Sequence, residues 1–182
     1  SHRSDAAGAD LEKGLELRKQ TGGPLWRLEN LLLAGATCVA LDHLPRAHSL
    51  LSTALADSRY LSEERLRIGL HAWLLVVCQR LGQLCEAEEH RQVFYRLLQR
   101  QQPLFFCGLS SDLLKELLSL LATPRERELL RPVLEKYLHL DFADQQQVIE
   151  RIEITTLGGF SVHQGVKRFD LNQVGQASRL ML

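Results

Sequence analysis

The groups with most chemistry to offer are seven histidines, at positions 2, 43, 48, 71, 90, 139 and 163, and four cysteines, Cys38, Cys78, Cys85 and Cys107. A zinc-binding helix presents paired histidines one turn apart, as in H-x-x-x-H or H-E-x-x-H, because that spacing puts both imidazoles on one face. No two histidines here have that spacing. His43 with His48, and the run His139-Leu140-Asp141, have spacings too common to mark a metal, so no metal ligand is assigned. The cysteines lack C-x-x-C spacing, and Cys78 and Cys85 fall on opposite sides of a helical turn, as buried small hydrophobes do. Ser110-Ser111-Asp112 reads as a helix cap rather than a nucleophile, and Glu86, Glu88 and Glu89 as the solvated start of a helix. There is no G-x-x-x-x-G-K-[ST] loop and no G-x-G-x-x-G, so no nucleotide cofactor is expected. Neither a catalytic residue nor any other cofactor site emerges. The chain is expected to act by binding.

Composition narrows what it binds. Hydrophobic residues make up 45% and charged residues 24% of the 182 residues, ordinary for a globular chain with a core. Lys plus Arg and Asp plus Glu are both 22, so the formal charge is zero. Phosphate contacts supply most of the affinity of a nucleic-acid binder and normally leave a basic surplus. These residues are therefore not expected to hold most of any phosphate contacts. The longest apolar run, around Leu70 to Cys78, is far short of the ~20 residues that span a bilayer. Ser1-His2-Arg3-Ser4 opens no apolar signal segment, and the expectation is a cytoplasmic protein with reduced thiols.

Helical periodicity runs from Asp5 to about Ile149 and predicts at least six helices in antiparallel pairs, an all-α class. Asp5–Gln20 has acids early and Arg18 and Lys19 late, suiting the macrodipole. Thr21-Gly22-Gly23-Pro24 ends that helix and starts one reaching Leu41. Asp42-His43-Leu44 is a short turn before a helix to about Ser58, and Ser62 is the expected cap of a pair running to Gln101. Ser110 or Ser111 should cap a helix to Leu121. Thr123-Pro124-Arg125-Glu126 is the clearest start, with Thr as cap, Pro first in the helix and Glu reaching back. A shift of 40 residues places Leu41 on Leu81 and Leu121, Cys38 on Cys78, and Ala47 on Ala87. Such helix-turn-helix units bury a core only by stacking on neighbours.

Gly82-Gln83-Leu84-Cys85-Glu86-Ala87 resembles the turn of a tetratricopeptide repeat, where a small alanine lets two helices approach. In that register Ala34, Gly35, Cys38, Ala47, Gly82 and Ala87 take the family's packing positions. Typical repeats of the family take about 34 residues; the longer period here resembles the sensor arm of MalT-like transcriptional activators. The resemblance implies a concave groove lined by Glu29, Leu32, Leu33, Ala36, Val39 and Ala40 from one copy. Gly69, Ala72, Trp73, Val76, Gln79 and Arg80 would line it from the next. Of these, Glu29, Leu33, Trp73, Gln79 and Arg80 are the candidate binding residues, with Trp73 read first as plain core packing and second as an interface anchor. The register run backwards puts Ala7, Leu11 and Gly14 on a helix whose partner is missing, as in a piece of a longer solenoid.

After Ile149 the period changes. Arg151–Leu157 alternates with β-branched residues, Phe160–His163 and Lys167–Leu171 could pair with it, and Gly158-Gly159 and Gln164-Gly165 are turns. From Gln173 a helix is expected. This string resembles the opening of the winged-helix DNA-binding domain of MalT-like and antibiotic-regulator (SARP) activators. Asn172-Gln173-Val174-Gly175 departs from the basic stretch common there. The expected organisation is residues 1–149 as tetratricopeptide-like repeats and 150–182 as the N-terminal part of a winged helix, with β structure only after about 150. Implied partners are a protein, a small inducer or a second copy in the groove, with DNA reached only through a complete winged helix and no membrane contact. A free-standing interaction scaffold with a hairpin cap is the other expectation, and no residues support an enzyme.

Overall fold

Two short turns organise the helices, and both arise from one backbone device. A helix that ends on a left-handed residue can return two amide donors to its last carbonyls. At the first turn His43 N–H donates to Cys38 O at 2.8 Å and Asp42 N–H to Val39 O at 3.1 Å, with Asp42 at φ 61°. Forty residues later Gln83 N–H donates to Cys78 O at 2.9 Å and Gly82 N–H to Gln79 O at 3.2 Å, with Gly82 at φ 75°. The Cβ of an alanine at Gly82 would meet nothing within 4 Å, so only its backbone conformation resists substitution. Gly82→Ala is expected to cost about 1 kcal/mol in a thermal melt.

The computed structural model describes residues 13–14, 23–60, 63–102, 105–120, 123–138, 140–142, 148–150, 152–155, 161–164 and 167–169. Its helices are α1 (Pro24–Ala40), α2 (Leu44–Asp57), α3 (Glu64–Arg80), α4 (Leu84–Gln101), α5 (Ser111–Leu120) and α6 (Pro124–Leu138), with a 3-10 turn at Ser58–Tyr60. Of the expected helix over Asp5–Gln20, Lys13 and Gly14 are described and helical. Ser62, the turn at Gly158-Gly159, Gly165 of the turn expected at Gln164-Gly165, and the helix expected after Gln173 lie outside the described residues. The capping signals are used where they are described. Pro24 opens α1 behind Gly23, and Ser110 Oγ accepts from Leu113 N–H at 3.1 Å.

The chain divides into two compact units, residues 1–121 and 122–182. In the first, α1–α2 and α3–α4 are hairpins, and α3 is central, packing against α1, α2, α4 and α5. Every residue from Ile68 to Cys78 is buried, as befits a helix apolar on nearly all sides. Small residues make the close approaches. Ala34 and Ala87 are 2% exposed, Ala47 and Cys38 are fully buried, and a Cβ on Gly35 would run into the Leu51 side chain. Phe94 and Phe106, both 0% exposed, meet edge to face with centroids 6.1 Å apart.

In the second unit α6 opens on a reciprocal cap. Thr123 N–H donates to Glu126 Oε2 at 2.9 Å, and Glu126 N–H donates to Thr123 Oγ1 at 3.3 Å. Thr123→Ala should lower this unit's stability by about 1 kcal/mol, readable by calorimetry. Strands β1 (Leu140–Phe142) and β2 (Val148–Glu150) form an antiparallel pair, and β1 packs on α6. β3 (Ile152–Thr155), β4 (Ser161–Gln164) and β5 (Lys167–Phe169) form an antiparallel sheet in sequence order. Two expectations are corrected here. β structure begins at Leu140, not after 150, and helix ends at Leu138, not near 149. The reason is local: Leu140-Asp141-Phe142 alternates, and Val148 and Ile149 are β-branched, which favours strand pairing over a further turn of helix. The break expected at 149/150 falls where the two-stranded pair gives way to the three-stranded sheet, while the compact units divide earlier.

Candidate functional site

The expected groove begins as a row of small and apolar positions on α1 and α3, and the structure fills part of it with the chain's own residues. Between α4 and α5, the stretch 105–109 folds back onto α3. Cys107 N–H donates to Arg65 O at 3.3 Å, and Trp73 Nε1–H donates to Gly108 O at 2.9 Å. A Cβ at Gly69 would overlap the Cys107 carbonyl, and one at Gly108, which has φ 76°, would overlap Leu32. Glycine at 69 lets backbone lie against the Cys107 backbone, and glycine at 108 lets backbone lie against the Leu32 and Trp73 side chains. The Cys107 thiol is held above its ordinary pKa by burial and by Glu29 and Glu63 nearby.

Of the two expectations for Trp73, core packing is the one the structure bears out. Trp73 is 5% exposed, and its one donor is taken within the chain. Leu32, Ala72, Val76 and Val39 are buried too. Leu33 is exposed and Glu29 half-buried. Arg80 Nη2 reaches Asp42 Oδ1 at 2.7 Å, tying the end of α3 to the first turn. Gln79 lines a cleft of about 370 Å³ with Leu75, Leu84, Ala87, Glu88, Arg91 and the end of α5. The five candidates therefore do not form one open surface.

What the fold does bring together is a set of titratable groups passed over one by one in the sequence. The turn at Leu81–Gln83 folds α4 back along α3 and brings residues of the two helices face to face. Cys78 then lies near Glu86, and His71 near His90, while α2 adds His48. His48 Nε2 and Glu86 Oε1 are 2.9 Å apart, His90 Nε2 is 3.8 Å from the same oxygen, and the Nδ1 atoms of His71 and His90 are 3.1 Å apart. Ligand-capable atoms of His48, Cys78 and Glu86 all lie within 4.8 Å of one another. Burial, with His90 and Arg67 adding repulsion, holds His71 neutral down to a pKa of about 4. His90 is lowered mainly by burial, against the pull of Glu86. Burial beside Glu86 pushes the Cys78 thiol up to about 12, so by itself it is a poor nucleophile. A sequence signal existed: His71 and Cys78 are two helical turns apart, and Glu86 and His90 one turn apart, on either side of a tight turn.

No protein-family model matches the chain, and no curated protein or solved structure matches it. Among the described residues no helix is long and apolar enough to cross a membrane.

Proposed function

We propose that the chain is a tetratricopeptide-like repeat arm of a bacterial, cytoplasmic transcriptional regulator, joined to the start of a winged-helix DNA-binding domain. Its role is to take a protein partner, a small inducer or a second copy of itself and to bias that domain. The observation that carries this reading is the recurrence of one hairpin with one turn geometry at a shift of 40 residues, followed by a sheet in the order β3-β4-β5. Stacked helical hairpins bury a core between repeats and leave one face for binding. A small antiparallel sheet is what the resemblance to the winged-helix opening requires of residues 152–169. Leu33 is the large apolar groove position left accessible for a partner.

Fluorescence anisotropy tests it on residues 1–182 and on the same chain carried through a complete winged helix, each at two salt concentrations. Residues 1–182, with zero net charge, should bind duplex DNA on the order of 10⁻⁴ M or worse at physiological salt. The longer chain should bind a specific site, with affinity that falls steeply as salt rises, because its added Lys and Arg contacts release counterions. Tight, sequence-specific binding by residues 1–182 would move the DNA-reading surface elsewhere. The pairing of β1 with β2, and the packing of β1 on α6 within the second unit, favour a second reading, a free-standing interaction scaffold with a hairpin cap. No binding by the longer chain, with its operator and inducer present, would favour that scaffold.

A further inference from the structure

We propose that His48 Nε2, Cys78 Sγ, a Glu86 carboxylate oxygen and His90 Nε2 form a zinc site that joins the first helical hairpin to the second. The ligands come from α2, α3 and α4. Their chemistry is that of a closed four-coordinate site, two imidazoles, one thiolate and one carboxylate, which suits zinc rather than magnesium or calcium. Tetrahedral zinc with bonds of about 2.0–2.3 Å holds its ligand atoms about 3.3–3.6 Å apart. The observed 2.9 Å and 3.8 Å separations around Glu86 Oε1 bracket that range, and the His48–Cys78–Glu86 atoms lie within 4.8 Å. The approach needed is a rotation of side chains, not a shift of helices.

Three observations point to a metal rather than to a hydrogen-bonded network that is complete in itself. His90 Nε2 is buried and makes no hydrogen bond, although an acceptor lies 3.8 Å away. Its other nitrogen faces His71 Nδ1 at 3.1 Å. His71 Nδ1 accepts a hydrogen bond from His90 Nδ1–H, which leaves the Nε2 lone pair of His90 free for a metal and fixes the ring. His71 is thus a positioning residue. The charges also balance: a dication with one thiolate and one carboxylate is neutral, which a buried site requires. Cys78 gives up its proton to solvent as the metal binds, so a thiol that resists ionisation by itself becomes a ligand. The side chains of His48 and Glu86, 25% and 38% exposed, provide the way in. One repeat earlier, Leu31, Arg46 and Leu50 stand at the places of His71, Glu86 and His90, so that position has no equivalent ligand set.

The experiment is a Co²⁺ titration of the reduced, metal-stripped 182-residue chain, followed by Zn²⁺ displacement. The expected result is a thiolate-to-cobalt band in the near ultraviolet with intense tetrahedral bands in the visible. Both should saturate at one equivalent and be abolished by zinc, with one proton released per zinc. Cys78→Ser should lose the near-ultraviolet band. His48→Ala, on the accessible side of the core, should keep the helical circular dichroism of the metal-free chain and weaken Co²⁺ binding more than about tenfold. His71→Phe should keep the thiolate band and weaken binding about 10–100-fold. The proposal is overturned if the wild-type chain gives no thiolate band, if Cys78→Ser keeps it, or if His48→Ala binds as tightly as wild type. Should Cys78→Ser fail to fold, the His48→Ala comparison decides alone.

Discussion

Phe106→Ala is expected to lower the unfolding free energy of residues 1–121 by about 3–5 kcal/mol, a large part of what a domain of this size has. The side chain is fully buried and meets Phe94 edge to face. Its loss leaves a cavity beside a ring that cannot shrink to fill it. The same side chain anchors the stretch that covers Trp73, so the damage extends beyond the hole. Urea denaturation followed by tryptophan fluorescence measures both effects. The midpoint should fall sharply, and Trp73 emission should shift towards that of a hydrated indole before the helices melt. An unfolding free energy within about 0.5 kcal/mol of wild type would show that residues 105–109 contribute little to the core.

The second large effect is a loss of stability in acid. In the metal-free protein, with chelator present, His71 titrates at about 4 when folded and near 6.5 when unfolded. Above 6.5 both states leave it neutral and it contributes no pH dependence. Between 6.5 and 4 the unfolded chain binds a proton that the folded chain refuses, so stability falls as pH falls. The full difference is about 3 kcal/mol, reached near pH 4. His90, Arg67, Glu86 and His48 surround the pair, and the depressed pKa of His90 acts in the same direction. Urea midpoints at pH 7, 5.5 and 4.5 should descend for wild type and descend less for His71→Phe. Parallel descent in the two would assign the effect to other groups.

The turns and helix starts were legible because they are local. Pro24, Ser110 and the Thr123–Glu126 cap each act within four residues, and the spacing of Leu41 and Leu81 marks two ends of one design. The strand at Leu140–Phe142 was not, since three alternating residues after a long helix resemble a frayed last turn. The surroundings of Trp73 are not legible for a different reason. Whether Trp73 faces solvent or backbone depends on Gly108, 35 residues away, and no period in the sequence links them. The histidine cluster lies between these cases. Each of its pairs on α3 and α4 has helical spacing, yet only the fold back at Gly82 and the approach of His48 bring the pairs together.

The backbone packing of Gly69 against Cys107 and of Gly108 against Leu32 and Trp73 bears on the order in which the molecule assembles. The α1–α2 and α3–α4 hairpins close across turns of three residues, a short search for the chain. The contact between Trp73 and Gly108 spans 35 positions and that between Leu32 and Gly108 reaches further back, into α1. Contacts of high sequence separation cost more loop entropy and form late on the folding path. Residues 105–109 should therefore settle after the transition state. Substitutions at Phe106 or Gly108 then raise the unfolding rate and leave the refolding rate nearly unchanged, while those at Ala47 or Ala87 slow refolding. In native-state hydrogen exchange the Cys107 amide should open well below the global unfolding energy, ahead of the amides of α3.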